Sequence, residues 1–323
     1  MTSKTLSADG GENTRLDKFL SNHLPEISRT KIQKMINDGL VYVNQNYAKA
    51  SLVLDGTELI SYTIPDENNI EIKDIIPQDI PLEILYEDDS FIAINKQPGL
   101  IVHPGNGNAN GTLANGLAHY FNKLSDINGF LRPGIVHRLD KDTSGVILIA
   151  KDNSSHIKLS SQFQNRTIKK EYFAITWGKW NEPNGCINNA IKRKRSDPTS
   201  YQIDKDGRES ITDYELIKQG EYLSSVTFYP KTGRTHQIRV HSSSMNHPIF
   251  GDDKYGGGNQ KVKGFIPEVN KELKIMLNDI ERQALHAKKI IFNHPKNDKI
   301  ISIEAPIPLD IKKIENKIEN ING

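Results

Sequence analysis

The chain has 323 residues, of which 25% are charged and 36% hydrophobic, and its formal net charge is only +2. That length is enough for about two domains with a sizeable core, and the near-neutral total means that any nucleic-acid-binding surface must be local. The single cysteine, Cys186, excludes an intramolecular disulfide framework and a cysteine-based zinc site, and it fits a reducing compartment.

The first residues are polar and lack the apolar segment of a signal peptide. No apolar run approaches the length of a membrane-spanning helix. We therefore expect a cytoplasmic protein without membrane contact. Residues 1–13, which are polar and contain glycine, are predicted to be disordered.

Residues 14–64 carry two amphipathic helix patterns followed by short strand patterns, which predict a small separate domain. The second helix also carries three cations, Arg29, Lys31 and Lys34. On the residues alone, the solvated face of an amphipathic helix explains these cations better than a nucleic-acid contact does.

A proline-marked stretch, residues 65–81, comes next and is predicted to be a linker. The second domain is expected over residues 82–310. Isoleucines at helical spacing in residues 311–323 predict a final amphipathic helix that packs on the rest of the protein.

A polar, turn-rich loop, residues 137–145, is followed at once by an apolar, β-branched run that predicts a buried strand. A loop held against a rigid strand is a common place for a reactive side chain. Asp140 lies there between the cations Arg138 and Lys141. Its carboxylate is expected to be ionised at neutral pH, and could act as a nucleophile without a partner base. A solvated charged loop accounts for the same residues.

Three further features have ordinary explanations when they are taken alone. Tyr172 belongs to a predicted strand, where a tyrosine is usually a core residue. The strongest basic run includes Lys192 and Arg193, and such runs are most often solvated loops. His103 follows a turn, where a packed histidine is commoner than a base.

No metal site is predicted. His236 and His241 lack the spacing that would place two ligands on one helix face, and no metalloprotease motif occurs.

Four stretches resemble, in order, the motifs of the RluA/RluD-type pseudouridine synthases, which isomerise uridine in structured RNA. Their sequences are NKQPGLIVHPG, GIVHRLDKDTSGVILIAK, KEYFA and GRTHQIRVH. The resemblance extends over nearly all of residues 14–310. The reaction of this family consumes nothing, so the resemblance implies that no cofactor or metal is needed.

The resemblance also implies roles for individual residues. Asp140 would be the catalytic residue, and the first arginine of GRTHQIRVH, Arg234, would pair with it. Tyr172 would lie against the target base. Arg138 would occupy the space that the base vacates when it leaves its stack, and Leu285 would support the active site.

The N-terminal pattern resembles the small RNA-binding module first described in ribosomal protein S-four, whose second helix presents basic residues to RNA. This implies RNA contacts for the three cations of the second helix, and the family context implies phosphate contacts for Lys192 and Arg193. We expect RNA as the partner, most specifically large-subunit ribosomal RNA, because this combination of domains is typical of that subgroup. No obligate protein partner is expected, and the protein is predicted to be a monomer.

The implied fold is α+β, with the small RNA-binding module joined to a catalytic domain. The latter is expected to have a mixed, largely antiparallel sheet flanked by helices and crossed by a central cleft. Two other functions fit the residues. A hydrolytic N-glycosidase would need a second carboxylate, for which Asp142 is the nearest candidate, and a non-catalytic RNA-binding or ribosome-assembly factor would need none. The RNA product separates them: isomerised uridine, an abasic site or unchanged RNA.

Overall fold

The computed structural model describes residues 2–24, 27, 29–64, 75–105, 108, 110–121, 124–129 and 132–321. The strands in these ranges are β1 (Thr2–Ser7), β2 (Val41–Val43), β3 (Asn46–Tyr47), β4 (Leu59–Ile64), β5 (Glu83–Glu87), β6 (Phe91–Lys96), β7 (Ser144–Ala150), β8 (Lys169–Trp177), β9 (Asn184–Asn188), β10 (Ile191–Arg193), β11 (Tyr201–Ile203), β12 (Ile211–Gln219), β13 (Leu223–Pro230), β14 (Leu285–Asn293) and β15 (Ile300–Glu304). The helices are α1 (Leu16–His23), α2 (Arg29–Asn37), α3 (Leu113–Tyr120), α4 (Asn153–Gln164), α5 (Gln237–Ser244), α6 (Pro267–Ile280) and α7 (Leu309–Lys317), with short 3₁₀ helices at Asp253–Tyr255 and Lys261–Gly264.

The N-terminal unit is a four-stranded antiparallel sheet in the order β1-β4-β2-β3, which shares a core with α1 and α2. The expected disorder of residues 1–13 is wrong for residues 2–13, the part that the structure describes. Thr2–Ser7 pair with β4 along their whole length, and Ala8 is buried in the core. The polar composition did not reveal this strand because its stability comes from ladder hydrogen bonds to β4 rather than from its own apolar side chains.

A buried carboxylate joins α1 to α2. Asp17 is fully buried and accepts hydrogen bonds from the side chains of Arg15, Arg29 and Gln33. Burial alone would raise the pKa of Asp17, but these three bonds outweigh that effect and hold the pKa well below its usual range. The carboxylate therefore fixes the packing of the two helices.

The predicted linker belongs in part to the second domain. Residues 65–74 lie outside the described residues, but residues 75–81 pack on α3. The backbone N–H of Gln78 donates to the carbonyl of Asn115, whose side-chain amide in turn donates to the carbonyl of Ile76. This segment is ordered because α3 offers it both hydrogen bonds and an apolar surface.

In the part of the chain that the structure describes, the second domain is built on a nine-stranded sheet. Its order is β5-β6-β7-β14-β8-β13-β12-β9, with β15 paired to β14. Every pair is antiparallel except β7 with β14, so the predicted mixed and largely antiparallel sheet is confirmed. β7 is buried at every position, as its apolar run predicts.

Helices cover both faces of this sheet. On β6, Ile92 and Ile94 share a core with α3, whereas Phe91 and Ala93 share one with α4, as the two-residue period of a strand requires. α5, α6 and α7 pack around a third core built on β8 and β13. The predicted final helix is present as α7. No helix among the described residues combines the length and the apolar character needed to cross a membrane.

The close approach of β7 and β14 depends on Gly145. Its φ is +115°, and a Cβ atom at this position would lie 2.2 Å from the carbonyl oxygen of Ala287. A larger residue would push the two strands apart. The glycine therefore brings the loop that precedes β7 beside the start of β14, where Leu285 lies.

Candidate active site

His137 anchors the first half of the loop before β7. Its Nε2 accepts a hydrogen bond from the backbone N–H of Leu148 at 2.9 Å, and its ring stacks on Phe163 at 4.5 Å between centroids. Burial, with the charge of Lys170 as a second cause, lowers the pKa of His137 to about 3. The ring is therefore neutral and holds the loop to the strand.

Lys96 anchors the second half of the same loop. Its side chain is fully buried, and Nζ donates to the backbone carbonyls of Gln97, Leu100 and Lys141 at 2.9, 2.9 and 2.8 Å. Burial lowers the pKa of Lys96 to about 7. We favour the charged form at neutral pH, because an ammonium group has three donors for these three acceptors and a neutral amine has two.

Asp140, which precedes Lys141, is held by an arginine on α5. Its Oδ2 accepts a hydrogen bond from Nη1 of Arg239 at 3.1 Å. The same guanidinium donates through Nε and Nη2 to the buried Asp252 at 2.6 and 2.8 Å. Burial alone would lower the pKa of Arg239, but Asp252 and Asp140 outweigh it and raise the pKa. A fixed positive charge therefore faces the Asp140 carboxylate.

The pairing with Asp140 that was expected of Arg234 is made by Arg239 instead. The turn that leaves β13 contains Arg234, whose Nε donates to the backbone carbonyl of Glu209 at 3.1 Å. Arg239 belongs to the first turn of α5 and points toward the loop of Asp140. The expectation was wrong because the helix begins only after Arg234. Both arginines of the motif line the same cavity, but only Arg239, in the first turn of α5, bonds to Asp140.

A histidine is the second group beside Asp140. Nε2 of His236 lies 3.8 Å from Oδ2 of Asp140, and its Nδ1 lies 2.7 Å from the hydroxyl of Tyr255. That hydroxyl accepts the backbone N–H of Tyr201 at 3.0 Å, and its own hydrogen is available for Nδ1. Burial lowers the pKa of His236, although Asp140 opposes this. A neutral His236 with its proton on Nε2 fits these contacts.

Asp140 faces a cavity of about 110 Å³. Tyr172 from β8 and Leu285 from β14 line its wall, as do Arg138 and Arg234, so the structure brings the predicted active-site residues around one space. Burial, and then the negative charge of Asp140, raises the pKa of Tyr172, which keeps its hydroxyl protonated.

Lys170 adds another cation to the same cavity. Its Nζ donates to the backbone carbonyl of Thr232 at 3.2 Å. Burial, with Arg166 as a second cause, lowers the pKa of Lys170 to about 8. The cavity thus surrounds one carboxylate with several positive groups, an arrangement suited to a substrate that carries or develops negative charge.

Comparison with known proteins decides the family. Residues 90–244 match the family model for RNA pseudouridylate synthase, and residues 14–60 match the model for the S4 domain. An uncharacterized RNA pseudouridine synthase of Aquifex aeolicus is 38% identical over 312 residues, which cover 96% of this chain and 95% of that protein. The chain belongs to the RNA pseudouridine synthase family. It is therefore an isomerase, and its similarity to the RluA/RluD-type enzymes is confirmed.

A further relative and a solved structure agree with the assignment of this synthase to the family. Ribosomal large subunit pseudouridine synthase D of Escherichia coli is 36% identical over 315 residues, which cover 96% of this synthase and 93% of that enzyme. The structure of human RNA pseudouridylate synthase domain containing 4 is 25% identical, with a TM-score of 0.57 over 73% of this synthase and 92% of that chain.

The cations that were expected to bind RNA have different surroundings in the synthase. Nε and Nη2 of Arg29 donate to Asp17, while the side chain of Arg29 is about half exposed. Lys34 is exposed, while the side chain of Lys31 lies outside the described residues. Lys192 and Arg193 are on β10, which pairs with β11 in a hairpin.

Sequence reasoning missed several neighbours of Asp140 in the synthase. Arg239 and His236 lie within a motif that the sequence did single out, but the start of α5 decides which of its residues face the loop. Asp252 and Tyr255 lie in the segment that follows α5. Their contacts with α5 are tertiary, so no local pattern could reveal them. Lys170 lies in the KEYFA motif, whose tyrosine alone was considered.

Proposed function

We propose that this synthase isomerises specific uridines of large-subunit ribosomal RNA and that Asp140 is its catalytic carboxylate. The observation that carries the proposal is the Asp140 carboxylate, which faces a cavity and is held by a guanidinium that is itself fixed by Asp252. The names of relatives such as the Escherichia coli enzyme, which match along nearly the full length of this chain, support the choice of RNA.

The reaction rearranges one nucleotide without any co-reactant. The bond between N1 of uracil and C1′ of the ribose breaks, the uracil turns, and a bond forms between C1′ and C5. The proton on C5 is then lost and N1 regains a proton, so that the product is an isomer of the substrate. The target base must leave its stack to reach a carboxylate inside a cavity.

Three roles fit the position of Asp140: bonding to the base, bonding to the sugar, and removal of a sugar proton. Each requires an ionised carboxylate that is oriented before the substrate arrives. Arg239 supplies the orientation, because a charge-assisted hydrogen bond fixes the direction of the carboxylate. Its second attachment to Asp252 prevents the guanidinium from swinging away.

The remaining lining suits a detached uracil. Cleavage of the glycosidic bond with the electron pair left on N1 gives an anionic base, which positive groups stabilise in a site with little water. Lys170 and Arg138 supply such charge around the same cavity. Tyr172 and Leu285 offer an aromatic and an aliphatic surface against which a flat ring can turn.

A hydrolytic N-glycosidase is less well supported by the site. That reaction needs a second acid or base and a positioned water. Asp142, the nearest candidate, is not part of the described lining of the cavity, and its backbone carbonyl accepts a hydrogen bond from Arg282. A non-catalytic RNA-binding factor would have no use for the arrangement of Asp140, Arg239 and Asp252.

Site-by-site mapping of pseudouridine tests the proposal. Ribosomal and transfer RNA would be compared between cells with the gene, without it, and complemented with the wild type or with Asp140→Asn. We expect one or a few sites in large-subunit ribosomal RNA to disappear with the gene and to return only with the wild type. Such a target would place the enzyme in the cytoplasm. Loss of sites in transfer RNA alone would overturn the choice of target, and restoration by Asp140→Asn would overturn the role of Asp140.

A further inference from the structure

A second cleft adjoins the cavity of Asp140. Its volume is about 460 Å³, and it shares Gly233, Arg234 and Thr235 with the cavity as a common wall. The β10–β11 hairpin and the turn at residues 206–208 form the rest of its lining. A nucleotide whose base occupied the cavity would therefore have this cleft beside it.

The lining of the cleft is strongly basic. It contains Lys192, Arg193, Arg208 and Arg234, against the single carboxylate of Asp206. Within the described ranges, none of the three arginines forms an ion pair with an acidic side chain. Lys192 alone has acidic neighbours, at 3.7 Å or more.

Hydrogen bonds hold each of the three arginines, through its side chain or its backbone. Arg193 donates to the hydroxyl of Tyr201 at 3.2 Å, across the hairpin. The backbone N–H groups of Arg208 and Ile191 each donate to the other residue's carbonyl, at 2.8 and 2.9 Å. Arg234 is tied through Nε alone, to the carbonyl of Glu209. Arg193 and Arg234 therefore keep donors free for an anion while one hydrogen bond limits the position of each guanidinium. Arg208 extends an exposed side chain from a hydrogen-bonded backbone.

The hairpin is also connected to the group beside Asp140. The backbone N–H of Tyr201, the first residue of β11, donates to the hydroxyl of Tyr255, which contacts Nδ1 of His236. The opposite nitrogen of His236 faces Asp140. The position of the hairpin is thus linked by hydrogen bonds to the position of a residue in the cavity.

We propose that this cleft binds the phosphodiester backbone next to the target uridine, with phosphates on Arg193, Arg208 and Arg234. The inference rests on the proposed role of the Asp140 cavity as the place of the reacting base. It gives Arg234 a function in RNA binding in place of the expected pairing with Asp140. Phosphate is the anion that suits the cleft, because exposed arginines bind phosphate oxygens in a bidentate way and keep their charge at all relevant pH values.

Salt dependence of RNA affinity provides the test. The variants are Arg193→Gln, Arg208→Gln and their combination, and the probe is an unmodified transcript of large-subunit ribosomal RNA. Arg195→Gln is the matched control, because Arg195 is exposed in the same basic run but does not line the cleft. Affinity would be measured at several salt concentrations, and isomerisation in a single turnover at saturating RNA.

We expect each cleft variant to lower the slope of log affinity against log salt by about 0.7–0.9, and the double variant by about twice that. Arg195→Gln should keep the wild-type slope, and Arg193→Lys should retain the slope that Arg193→Gln loses. Thermal unfolding midpoints should be unchanged, since these side chains are exposed. Equal slopes for the cleft variants and for Arg195→Gln would overturn the proposal.

The failure of this inference can be distinguished from the failure of the proposed function. If the wild type isomerises the transcript and all slopes are equal, the cleft is not a phosphate site although the target is right. The wild type could instead leave the transcript unmodified, while the slope of log affinity against log salt falls in the cleft variants and not in the control. In that case the cleft binds RNA and the proposed target is wrong.

Discussion

Arg239 lies with Nη1 3.1 Å from Oδ2 of Asp140, while its Nε and Nη2 hold the buried Asp252. One guanidinium therefore joins a carboxylate in the core to a carboxylate that faces the cavity. The two bonds to Asp252 fix the plane of the group, and that plane fixes the direction of the third donor. The orientation of Asp140 thus depends on Asp252, which does not line the cavity.

Arg239→Lys should keep the positive charge but lose the bidentate geometry. A lysine can bond either carboxylate, but not both in fixed directions, so Asp140 would be misplaced. We expect single-turnover isomerisation at saturating RNA to fall by about 10²-fold, the cost of a small misplacement of a reacting group. Arg239→Met is a poorer test, because Asp252 would remain buried without a partner at a cost of about 3–5 kcal/mol.

Arg195→Lys is the control for that experiment, since Arg195 is exposed and lines neither the cavity nor the cleft. Its rate at saturating RNA should stay close to the wild-type rate. A normal rate for Arg239→Lys, or an equal loss in both variants, would show that the contact between Arg239 and Asp140 does not matter for the reaction.

Asp140→Asn should abolish isomerisation and leave RNA affinity nearly intact. The amide has almost the same shape but is a poor nucleophile and a poor base. Asp142→Asn is its matched control, because Asp142 lies in the same loop and uses its backbone carbonyl, which the substitution retains. Pseudouridine yield and RNA affinity would be measured for both variants. Substantial turnover by Asp140→Asn would show that Asp140 is not the catalytic residue. An abasic RNA product from either variant would support the N-glycosidase function instead.

The sequence predicts the elements of this synthase more readily than their contacts. The apolar run of β7 is buried at every position because five consecutive apolar side chains have no other stable environment. Tyr172, Leu285 and Asp140 do meet around one cavity, as the family motifs implied. Local pattern and motif order are properties of the chain itself, so the sequence can reveal them.

The partner of Asp140 could not be predicted in the same way. Arg234 and Arg239 belong to one motif, and only the place where α5 begins decides which of them faces the loop. His236 occupies the left-handed region, with φ 57°, immediately before that helix. A tertiary contact with Tyr255 accompanies this conformation, and no sequence pattern announces it. The strand at Thr2–Ser7 was missed for a similar reason, because its partner strand lies more than fifty residues away.

Lys96→Met should destabilise the loop that carries Asp140. The methionine fills a similar volume but leaves the carbonyls of Gln97, Leu100 and Lys141 without their donor, at about 1–3 kcal/mol for each one that finds no other partner. We expect a lower thermal unfolding midpoint and a loss of single-turnover rate in the protein that remains folded. Lys141→Ala is the control, because its exposed side chain is removed while its carbonyl still accepts from Lys96. Equal midpoints in the two variants would contradict this account.

The activity of the wild type should fall as pH rises through about 8. Burial lowers the pKa of Lys170 to about 8, so the free enzyme loses this positive charge at higher pH. Loss of the charge weakens the stabilisation of an anionic base in the cavity, and kcat/KM should decrease with it. Tyr172 and His236 titrate outside this window, since burial raises the pKa of the tyrosine and lowers that of the histidine. Burial lowers the pKa of Lys96 to about 7, so this lysine titrates at the lower edge of the window.

Lys170→Arg separates this effect from other causes. Arginine keeps its charge throughout the window, so the decline centred near pH 8 should be absent from the pH profile of the variant. Lys170→Met should be low across the same range. The profiles would be recorded with the same RNA transcript and with its folding checked at each pH. A decline in Lys170→Arg that matches the wild type would assign the titration to another group.

The cations of α2 should have separable functions. Arg29 bonds to the buried Asp17, whereas Lys34 is exposed and forms no ion pair among the described residues. Lys34→Gln should lower the slope of log RNA affinity against log salt by about one unit and leave stability unchanged. Arg29→Gln should instead weaken the N-terminal unit by about 1–3 kcal/mol, because the Asp17 carboxylate loses a charged donor.

Amide hydrogen exchange distinguishes the two effects within the full chain. Arg29→Gln should speed the exchange of amides in β2 and β4 at neutral pH, while those of β7 and β14 keep their wild-type protection. The pKa of Asp17 is lowered in the folded state, so its bonds stabilise the unit above the unfolded pKa of about 4 and lose that contribution as pH falls below it. The difference between Arg29→Gln and the wild type should therefore shrink in acid. If Arg29→Gln lowered the salt slope as Lys34→Gln does and left exchange unchanged, Arg29 would be an RNA contact after all, and its bond to Asp17 would be incidental.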